Sequence, residues 1–207
     1  MTIFDLQLEH IIQNWDIVEK AKVFYISGFH VNVCFEAMMK IAQFSSQHDD
    51  RLFVYNLGAP YVNQFYNQQV LELLPLVDTV IGNEDEAYTF AEVNNWKTKD
   101  LSEIALKLSH FEKKNSNKVR LVIITQGPNP VLVTSSDSQQ VQQFSVCSMD
   151  TCQLVDTNGA GDAFVAGYLS QLILGKTLEE RIKVATYAAQ EIIKQIGTQC
   201  PSHPANC

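Results

Sequence analysis

The sequence predicts an α/β protein with a mainly parallel sheet and helices on both of its faces. Short apolar runs rich in β-branched and aromatic residues alternate with longer segments of helical spacing, a pattern typical of strands joined by crossover helices. No repeat, low-complexity block or Pro/Gly-rich linker interrupts this alternation. With 207 residues, of which 46% are hydrophobic, the chain can bury a substantial core. We therefore expect one domain over residues 1–207.

The first half of the chain is predicted to alternate three strands with three helices. Residues 23–26 (VFYI) form a β-prone run that Ser27 and Gly28 end. Pro60 suits the first turn of a helix, because its missing N–H would have no helical partner there. The expected elements are a strand at 23–26, a helix at 33–44, a strand at 52–57, a helix at 60–74, a strand at 79–81 and a helix at 83–93.

The second half contains the clearest strand, residues 119–125 (VRLVIIT). Asp100 with Glu103, and Thr177 with Glu180, have the spacing of capping boxes and so indicate helix starts. The expected elements are a helix at 100–111, a strand at 119–125, a turn at 128–130, an antiparallel pair at 131–134 and 141–146, a helix at 161–174, and a helix at 177–196 that stops at Gly197.

The composition argues against several classes of protein. Lys and Arg number 15 against 23 Asp and Glu, a net charge of −8. Nucleic-acid binding depends on neutralising phosphates, so we expect no nucleic-acid partner. The chain has five cysteines, an odd number, and no two of them form a C-x-x-C pair. The five histidines do not have the spacing of metal ligands. We therefore expect neither a disulfide framework nor a zinc site. We also expect the protein to occupy a reducing compartment.

The chain also lacks the patterns of membrane and secreted proteins. No apolar run approaches the ~20 residues needed to span a bilayer, and the N-terminus MTIFDLQLEH has no basic segment typical of a signal peptide. We expect no membrane partner and a cytoplasmic protein, with the nucleus as the alternative location.

Residues 155–164 (VDTNGAGDAF) are the most informative segment. Gly159 and Gly161 allow a tight turn into a helix, whose free N–H groups favour an anion. Asp162 lies in the first turn, where a carboxylate can take a proton from a hydroxyl while the N–H groups hold developing negative charge. The alternative is an ordinary helix start that Asp162 caps. A Walker P-loop is absent, and Phe164 occupies the third glycine position of the dinucleotide fingerprint.

A second polar group, residues 83–86 (NEDE), follows the strand predicted at 79–81. Asn83 and Glu86 are three residues apart, so both can face the helix N-terminus and hold a hydrated Mg²⁺. The same spacing also makes a capping box with no metal. Both interpretations stay open from these residues alone.

A third group, Thr125, Gln126 and Gly127, ends the strand predicted at 119–125. A hydroxyl, an amide and a glycine at the carboxyl end of a strand suit polar contacts to a nucleotide or a phosphate. An ordinary exit from a strand into a turn is the alternative.

The three motifs together resemble one family. N-x-x-E at 83–86, TQG at 125–127 and DTNGAGDAF at 156–164 resemble motifs of the ribokinase-like (PfkB-type) carbohydrate and nucleoside kinases. The resemblance implies the ribokinase-like α/β/α fold and an ATP-dependent kinase.

The flanking segments resemble the adenosine kinases of eukaryotes within this family. NLGAP at 56–60 and QFY at 64–66 carry that resemblance, and relatives that phosphorylate sugars more often have Lys where Gln126 stands. The similarity runs over about residues 14–201. It implies transfer of the γ-phosphate of ATP to the 5′-hydroxyl of adenosine, giving AMP for purine salvage.

The resemblance assigns the catalytic step to the segment after residue 155. Asp162 matches the base that deprotonates the hydroxyl, and Gly159, Ala160 and Gly161 match a backbone anion hole for the transferring phosphoryl group. The same resemblance implies a monovalent-cation loop at Asp156 and Thr157.

The resemblance also assigns binding positions. Asn83 and Glu86 match the pair that organises Mg²⁺ and phosphate through water. Four further positions match residues near ATP or the nucleoside: Thr125, Gln126, Gly127 and Asn158.

This chain departs from the family pattern at its start. Family members carry an N-terminal portion with a glycine-rich substrate motif, a ribose-binding acid and a small β lid, and we expect these to be missing here. We therefore expect weak turnover by the 207-residue chain and self-association through the truncated edge of the sheet. The alternatives are another ribokinase-like sugar or nucleoside kinase, and a truncated paralogue that binds nucleotide without catalysis.

Overall fold

The computed structural model describes residues 8–147 and 153–198. Within these residues the chain forms two compact units. The first unit holds residues 8–125 and 132–142, and the second holds residues 126–131, 143–147 and 153–198. The single domain predicted from the sequence stays a prediction, and each unit is described in turn.

A six-stranded sheet runs in the order β1-β2-β3-β4-β5-β6. The first four strands pair in parallel, as predicted, and the two-residue connection between β4 and β5 is one that only antiparallel strands can use. The sheet is therefore mixed, and β1, the first strand in this order, forms one of its edges. The strands are β1 (Val23–Ser27), β2 (Leu52–Asn56), β3 (Thr79–Asn83), β4 (Leu121–Gln126), β5 (Asn129–Ser135) and β6 (Gln142–Phe144).

The helices of the first unit connect these strands and cover the sheet. They are α1 (Leu8–Gln13), α2 (Trp15–Val18), α3 (Phe35–Ser46), α4 (Pro60–Phe65), α5 (Asn67–Leu73), α6 (Glu84–Val93) and α7 (Leu101–Ser109), with 3₁₀ turns at Gly28–Asn32 and Leu74–Leu76. Phe53 and Tyr55 of β2 point into one core cluster with residues of α3, α5, α6 and α7. Val54, on the opposite face of β2, is buried as well, so both faces of this central strand are covered.

Buried charges lie where β3 and β4 begin. The Asp78 carboxylate accepts hydrogen bonds from Lys113 (2.6 Å) and Lys118 (2.8 Å). Arg120 is fully buried, and burial lowers its pKa to about 10. Its guanidinium donates to the backbone carbonyls of Leu74, Val77, Leu108, Phe111 and Glu112. Because every charge has hydrogen-bond partners, the cluster is tolerated inside the protein, and it ties the segment after α7 to the start of the sheet.

The second unit contains helices α8 (Ala160–Ile173) and α9 (Leu178–Ile192), which pack against each other. A Cβ atom at Gly167 would lie 2.7 Å from the Ala185 Cα atom, so only glycine permits this close approach. The predicted capping box starts α9: the Thr177 hydroxyl accepts from the Glu180 N–H, and the Glu180 carboxylate accepts from the Thr177 N–H. Among the helices of the described residues, none is both long enough and apolar enough to cross a membrane.

The helix predicted at 60–74 is two helices, α4 and α5. The break lies at Tyr66, whose φ and ψ angles of −123° and 23° are not helical. Just beyond it, the side-chain amides of Asn67 and Asn94 exchange two hydrogen bonds of 3.0 Å. This contact with the end of α6 fixes the start of α5, and nothing in the local sequence encodes it.

The capping box predicted for α7 is only half formed. The Asp100 carboxylate accepts from the Ser102 N–H at 2.8 Å, so the predicted N-cap is confirmed. Glu103 pairs instead with Lys107 one turn later, at 2.7 Å.

Candidate functional site

The turn from β3 into α6 carries the predicted pair Asn83 and Glu86. The Asn83 Oδ1 atom accepts from the Glu86 N–H at 2.9 Å, and the Glu86 carboxylate accepts from the Asn83 N–H at 3.1 Å. The predicted capping box is therefore formed. The Asn83 side-chain amide also donates to Glu86 Oε1 at 2.9 Å, so the two side chains hold each other in one fixed geometry.

The Glu86 carboxyl is buried, with 5% of the residue exposed. Burial raises its pKa to about 7, with smaller increases from the charges of Asp85 and Glu84, while the hydrogen bond from Asn83 acts in the opposite direction. A nearby cation would lower this pKa, because the positive charge stabilises the ionised form of the carboxyl group.

Glu86 should make the stability of the protein depend on pH. Between pH 4.5 and about 7 the folded protein keeps a proton on Glu86 that the unfolded chain has released, so the free energy of unfolding should fall as the pH rises through this range. The decline should be on the order of 3 kcal/mol. Glu86→Gln keeps the capping geometry without a titrating group, so urea denaturation across this range should show a flatter profile than wild type.

Glu92→Gln is the matched control for this measurement, because Glu92 is an exposed carboxylate on the same helix. It should leave the shape of the pH profile unchanged. If the free energy of unfolding had the same slope against pH in wild type and in Glu86→Gln, the raised pKa of Glu86 would be contradicted.

Thr125 lies beside this pair, at the end of β4. The sheet register places it opposite Asn83, and its hydroxyl donates to the Gly82 carbonyl at 3.4 Å. The structure therefore brings three predicted residues, Asn83, Glu86 and Thr125, to adjacent strand ends, which is where α/β sheets bind ligands.

In the second unit, the glycine-rich segment starts α8 as predicted. Gly159 is the N-cap residue, with φ 78° and ψ −1°, a left-handed conformation that favours glycine. Ala160, Gly161 and Asp162 form the first turn of α8. Gly161 and Asp162 are exposed, and a Cβ atom at Gly161 would meet nothing within 4 Å. This turn thus presents helix N-terminal N–H groups and one carboxylate to incoming molecules.

Asp156 holds the loop before α8 in place. Its carboxylate accepts from the N–H groups of Asn158 at 2.9 Å and Gly197 at 3.1 Å, and the first of these bonds is the largest cause of its lowered pKa. Asp156 therefore joins the glycine-rich loop to the turn after α9. The local sequence does not predict this role, because Gly197 is distant along the chain from Asp156.

Gln126 ends β4, and Gly127 with Pro128 forms the turn into β5. Gly127 has φ 54°, and the Gln126 side-chain amide donates to the Pro130 carbonyl at 2.5 Å. In this structure the Gln126 amide thus bonds within its own hairpin, and its predicted contact with nucleoside stays a prediction.

Two buried polar residues near Glu86 were not identified from the sequence. Tyr55 lies in β2 and Asn63 in α4, and both are fully buried. The Asn63 side-chain amide donates to the Glu86 backbone carbonyl at 3.4 Å. The sequence contains only weak indications of these buried polar positions, namely a tyrosine in an apolar strand and an asparagine in a short helix.

No cluster of three or more His, Cys, Asp or Glu side chains suited to a metal occurs in residues 8–147 and 153–198. The pair Asn83 and Glu86 offers amide and carboxylate oxygens, the donor types that Mg²⁺ accepts. A Mg²⁺ ion that keeps most of its waters needs few protein ligands, so this pair fits contact through water.

Comparison with known proteins gives a family match over almost the whole chain. Residues 2–205 match the description "pfkB family carbohydrate kinase". Adenosine kinase 2 of Arabidopsis thaliana is 39% identical over 192 residues, which cover 93% of this chain and 55% of the relative. The chain thus spans about half the length of the curated relatives that it matches.

Solved structures share the fold, which confirms the fold class predicted from the sequence. The Anopheles gambiae adenosine kinase, solved in complex with P1,P4-di(adenosine-5) tetraphosphate, matches with a TM-score of 0.90 and 41% identity, covering 94% of this chain and 57% of that one. A probable sugar kinase from Rhizobium etli matches at a TM-score of 0.77 and 26% identity, covering 95% of this chain and 55% of that one.

Proposed function

This chain belongs to the pfkB family of carbohydrate kinases, and we propose that the protein phosphorylates adenosine with ATP, giving AMP. The observation that carries the proposal is the agreement of nearly the whole chain with adenosine kinases in both sequence and fold. The exposed Asp162 in the glycine-rich first turn of α8 supplies the chemistry.

In the proposed reaction, Asp162 takes the proton of the adenosine 5′-hydroxyl. The hydroxyl oxygen then attacks the γ-phosphorus of ATP, and the bond from that phosphorus to the ADP oxygen breaks. The backbone N–H groups of Gly159, Ala160 and Gly161 stabilise the charge on the transferring phosphoryl group. The reaction needs only these two substrates, and it yields AMP and ADP.

The first unit supplies the proposed metal-organising pair. Asn83 and Glu86 would hold Mg²⁺ through water, and the ion would neutralise charge on the ATP phosphates. The proposed neighbours of ATP and nucleoside are Thr125, Gln126, Gly127 and Asn158. A monovalent cation near Asp156 remains a further prediction.

A second candidate substrate is a sugar, since the Rhizobium etli protein described as a probable sugar kinase has the same fold. A panel of adenosine, other nucleosides and free sugars separates the two. The assay uses this chain joined to the part of an adenosine kinase that it does not match, here called the completed enzyme. A completed enzyme that prefers a sugar would overturn the adenosine proposal, and one that binds ATP without transfer would favour a non-catalytic paralogue.

Replacing Glu86 with Gln tests the metal role against the capping role. Gln also serves in a capping box, so a purely capping residue should tolerate the change. If Glu86 organises Mg²⁺, the Mg²⁺ concentration for half-maximal activity of the completed enzyme should rise about 10-fold, because the carboxylate charge is lost. A Mg²⁺ titration decides, with Glu92→Gln as the control. An unchanged Mg²⁺ requirement would leave Glu86 as a cap alone.

The edge strand β1 is a proposed site of self-association. β1 pairs with β2 on one side only in the described sheet, and an open edge can accept a strand from another chain. The aromatic residues Phe29, Tyr61 and Phe65 are exposed at the same end of β1 and β2. Apolar surface of this kind adds to the tendency to associate.

A further inference from the structure

Two buried polar atoms beside the β3–α6 turn have no hydrogen-bond partner within the described residues. They are the Tyr55 hydroxyl oxygen and the Asn63 Oδ1 atom. Both residues have 0% of their surface exposed, so bulk water does not reach them. Tyr55 belongs to β2 and Asn63 to α4. Helix α4 packs against α6, and β2 pairs with β3, the strand that leads into α6.

The sheet register and one hydrogen bond bring both residues to the side of the sheet where Glu86 lies. Tyr55 pairs with Val80, so its side chain is on the same face as position 82, two residues further along β3. Asn63 contacts Glu86 directly, since its side-chain nitrogen is 3.4 Å from the Glu86 carbonyl oxygen. The pKa of Tyr55 is raised, first by burial and then by the charge of Glu86, an interaction that weakens with distance. Gly82 adds no side chain here: a Cβ atom on it would lie 3.1 Å from Glu86 Oε2.

Leaving these atoms without a partner would be costly. A buried polar group without a hydrogen bond destabilises a protein by about 1–3 kcal/mol, and native proteins satisfy nearly all such groups. Phe and Leu would fill the same two positions without that cost. A buried water molecule typically makes about three hydrogen bonds to otherwise unsatisfied polar groups. The Tyr55 hydroxyl, the Asn63 Oδ1 atom and the Glu86 carboxyl group are the types and number of partners that such a water uses.

We propose that Tyr55, Asn63 and Glu86 enclose a binding site for one buried water molecule. The water bonds to the Tyr55 hydroxyl, the Asn63 Oδ1 atom and the Glu86 carboxyl group, and it links β2 and α4 to the first turn of α6. The site shares Glu86 with the proposed magnesium-organising pair, but the proposal does not rest on kinase activity, and its test needs no turnover.

Denaturation of the 207-residue protein tests this site through the Tyr55 hydroxyl. If the hydroxyl bonds to a water, Tyr55→Phe should raise the equilibrium constant for unfolding about 5-fold, the equivalent of one hydrogen bond. If the hydroxyl has no partner, Phe should leave this constant unchanged or lower it. Tyr88→Phe is the matched control, because Tyr88 is 38% exposed, and it should change little.

A double-mutant cycle with Asn63→Leu tests whether the two side chains share one water. Loss of a shared water in either single variant predicts a combined effect smaller than the product of the two single effects. A crystal structure that resolves ordered waters gives the direct observation. A water within about 3.2 Å of both atoms supports the proposal. The absence of one there, or a stabilising Tyr55→Phe, overturns it.

Discussion

Asp162→Asn should lower the turnover of the completed enzyme by about 10²-fold or more, the scale of general-base catalysis. Asparagine has nearly the same shape as aspartate but cannot take a proton from the adenosine hydroxyl. Asp162 is exposed in the first turn of α8, so the change should leave the fold and the N–H groups of Gly159, Ala160 and Gly161 in place. The affinity for ATP should change little, so the loss should appear in kcat.

Glu179→Gln is the matched control for this experiment. Glu179 is likewise an exposed acid in the first turn of a helix of the second unit, and its loss removes a comparable interaction with a helix dipole. Steady-state kinetics and ATP titration calorimetry on both variants separate a base from a helix-capping acid. Near-normal turnover by Asp162→Asn would refute the catalytic assignment.

The 207-residue chain alone should show no appreciable phosphorylation of adenosine, and adding the unmatched part of an adenosine kinase should restore it. The chain covers only 55% of the Arabidopsis thaliana relative. Phosphoryl transfer needs both substrates aligned and shielded from water, so half of a kinase fold should hold ATP without a positioned acceptor. The assay is AMP formation from adenosine and ATP, with the added part supplied in cis or as a separate polypeptide.

The same preparation should self-associate through β1. Size-exclusion chromatography should show species larger than a monomer, and Val23→Lys should shift them towards the monomer, because a charge on an edge strand opposes pairing. Val23→Lys alone should not restore AMP formation. This result would separate the effect of the open edge on association from the effect of the unmatched part on activity. A well-behaved wild-type monomer with ordinary turnover would contradict this account.

Local hydrogen-bond patterns made much of the candidate site predictable. Asn83 with Glu86 and Thr177 with Glu180 form capping boxes in the structure because every group involved lies within three residues of its partner. The turn at Gly159 into α8 was equally predictable, since the left-handed conformation of this N-cap residue favours glycine. The parallel pairing of the first four strands followed from the alternation of strand and helix patterns.

Long-range contacts decide the remaining features, because their partners are far apart in the chain. Asn67 meets Asn94 and so separates α4 from α5, although residues 60–74 alone are compatible with one helix. The second acceptor role of Asp156 depends on the Gly197 N–H. Burial by surrounding elements raises the pKa of Glu86. The local sequence therefore determined the alternation of strands and helices and the helix starts that are capped within three residues. The packing of distant segments divided α4 from α5 and set how the polar groups are paired and charged.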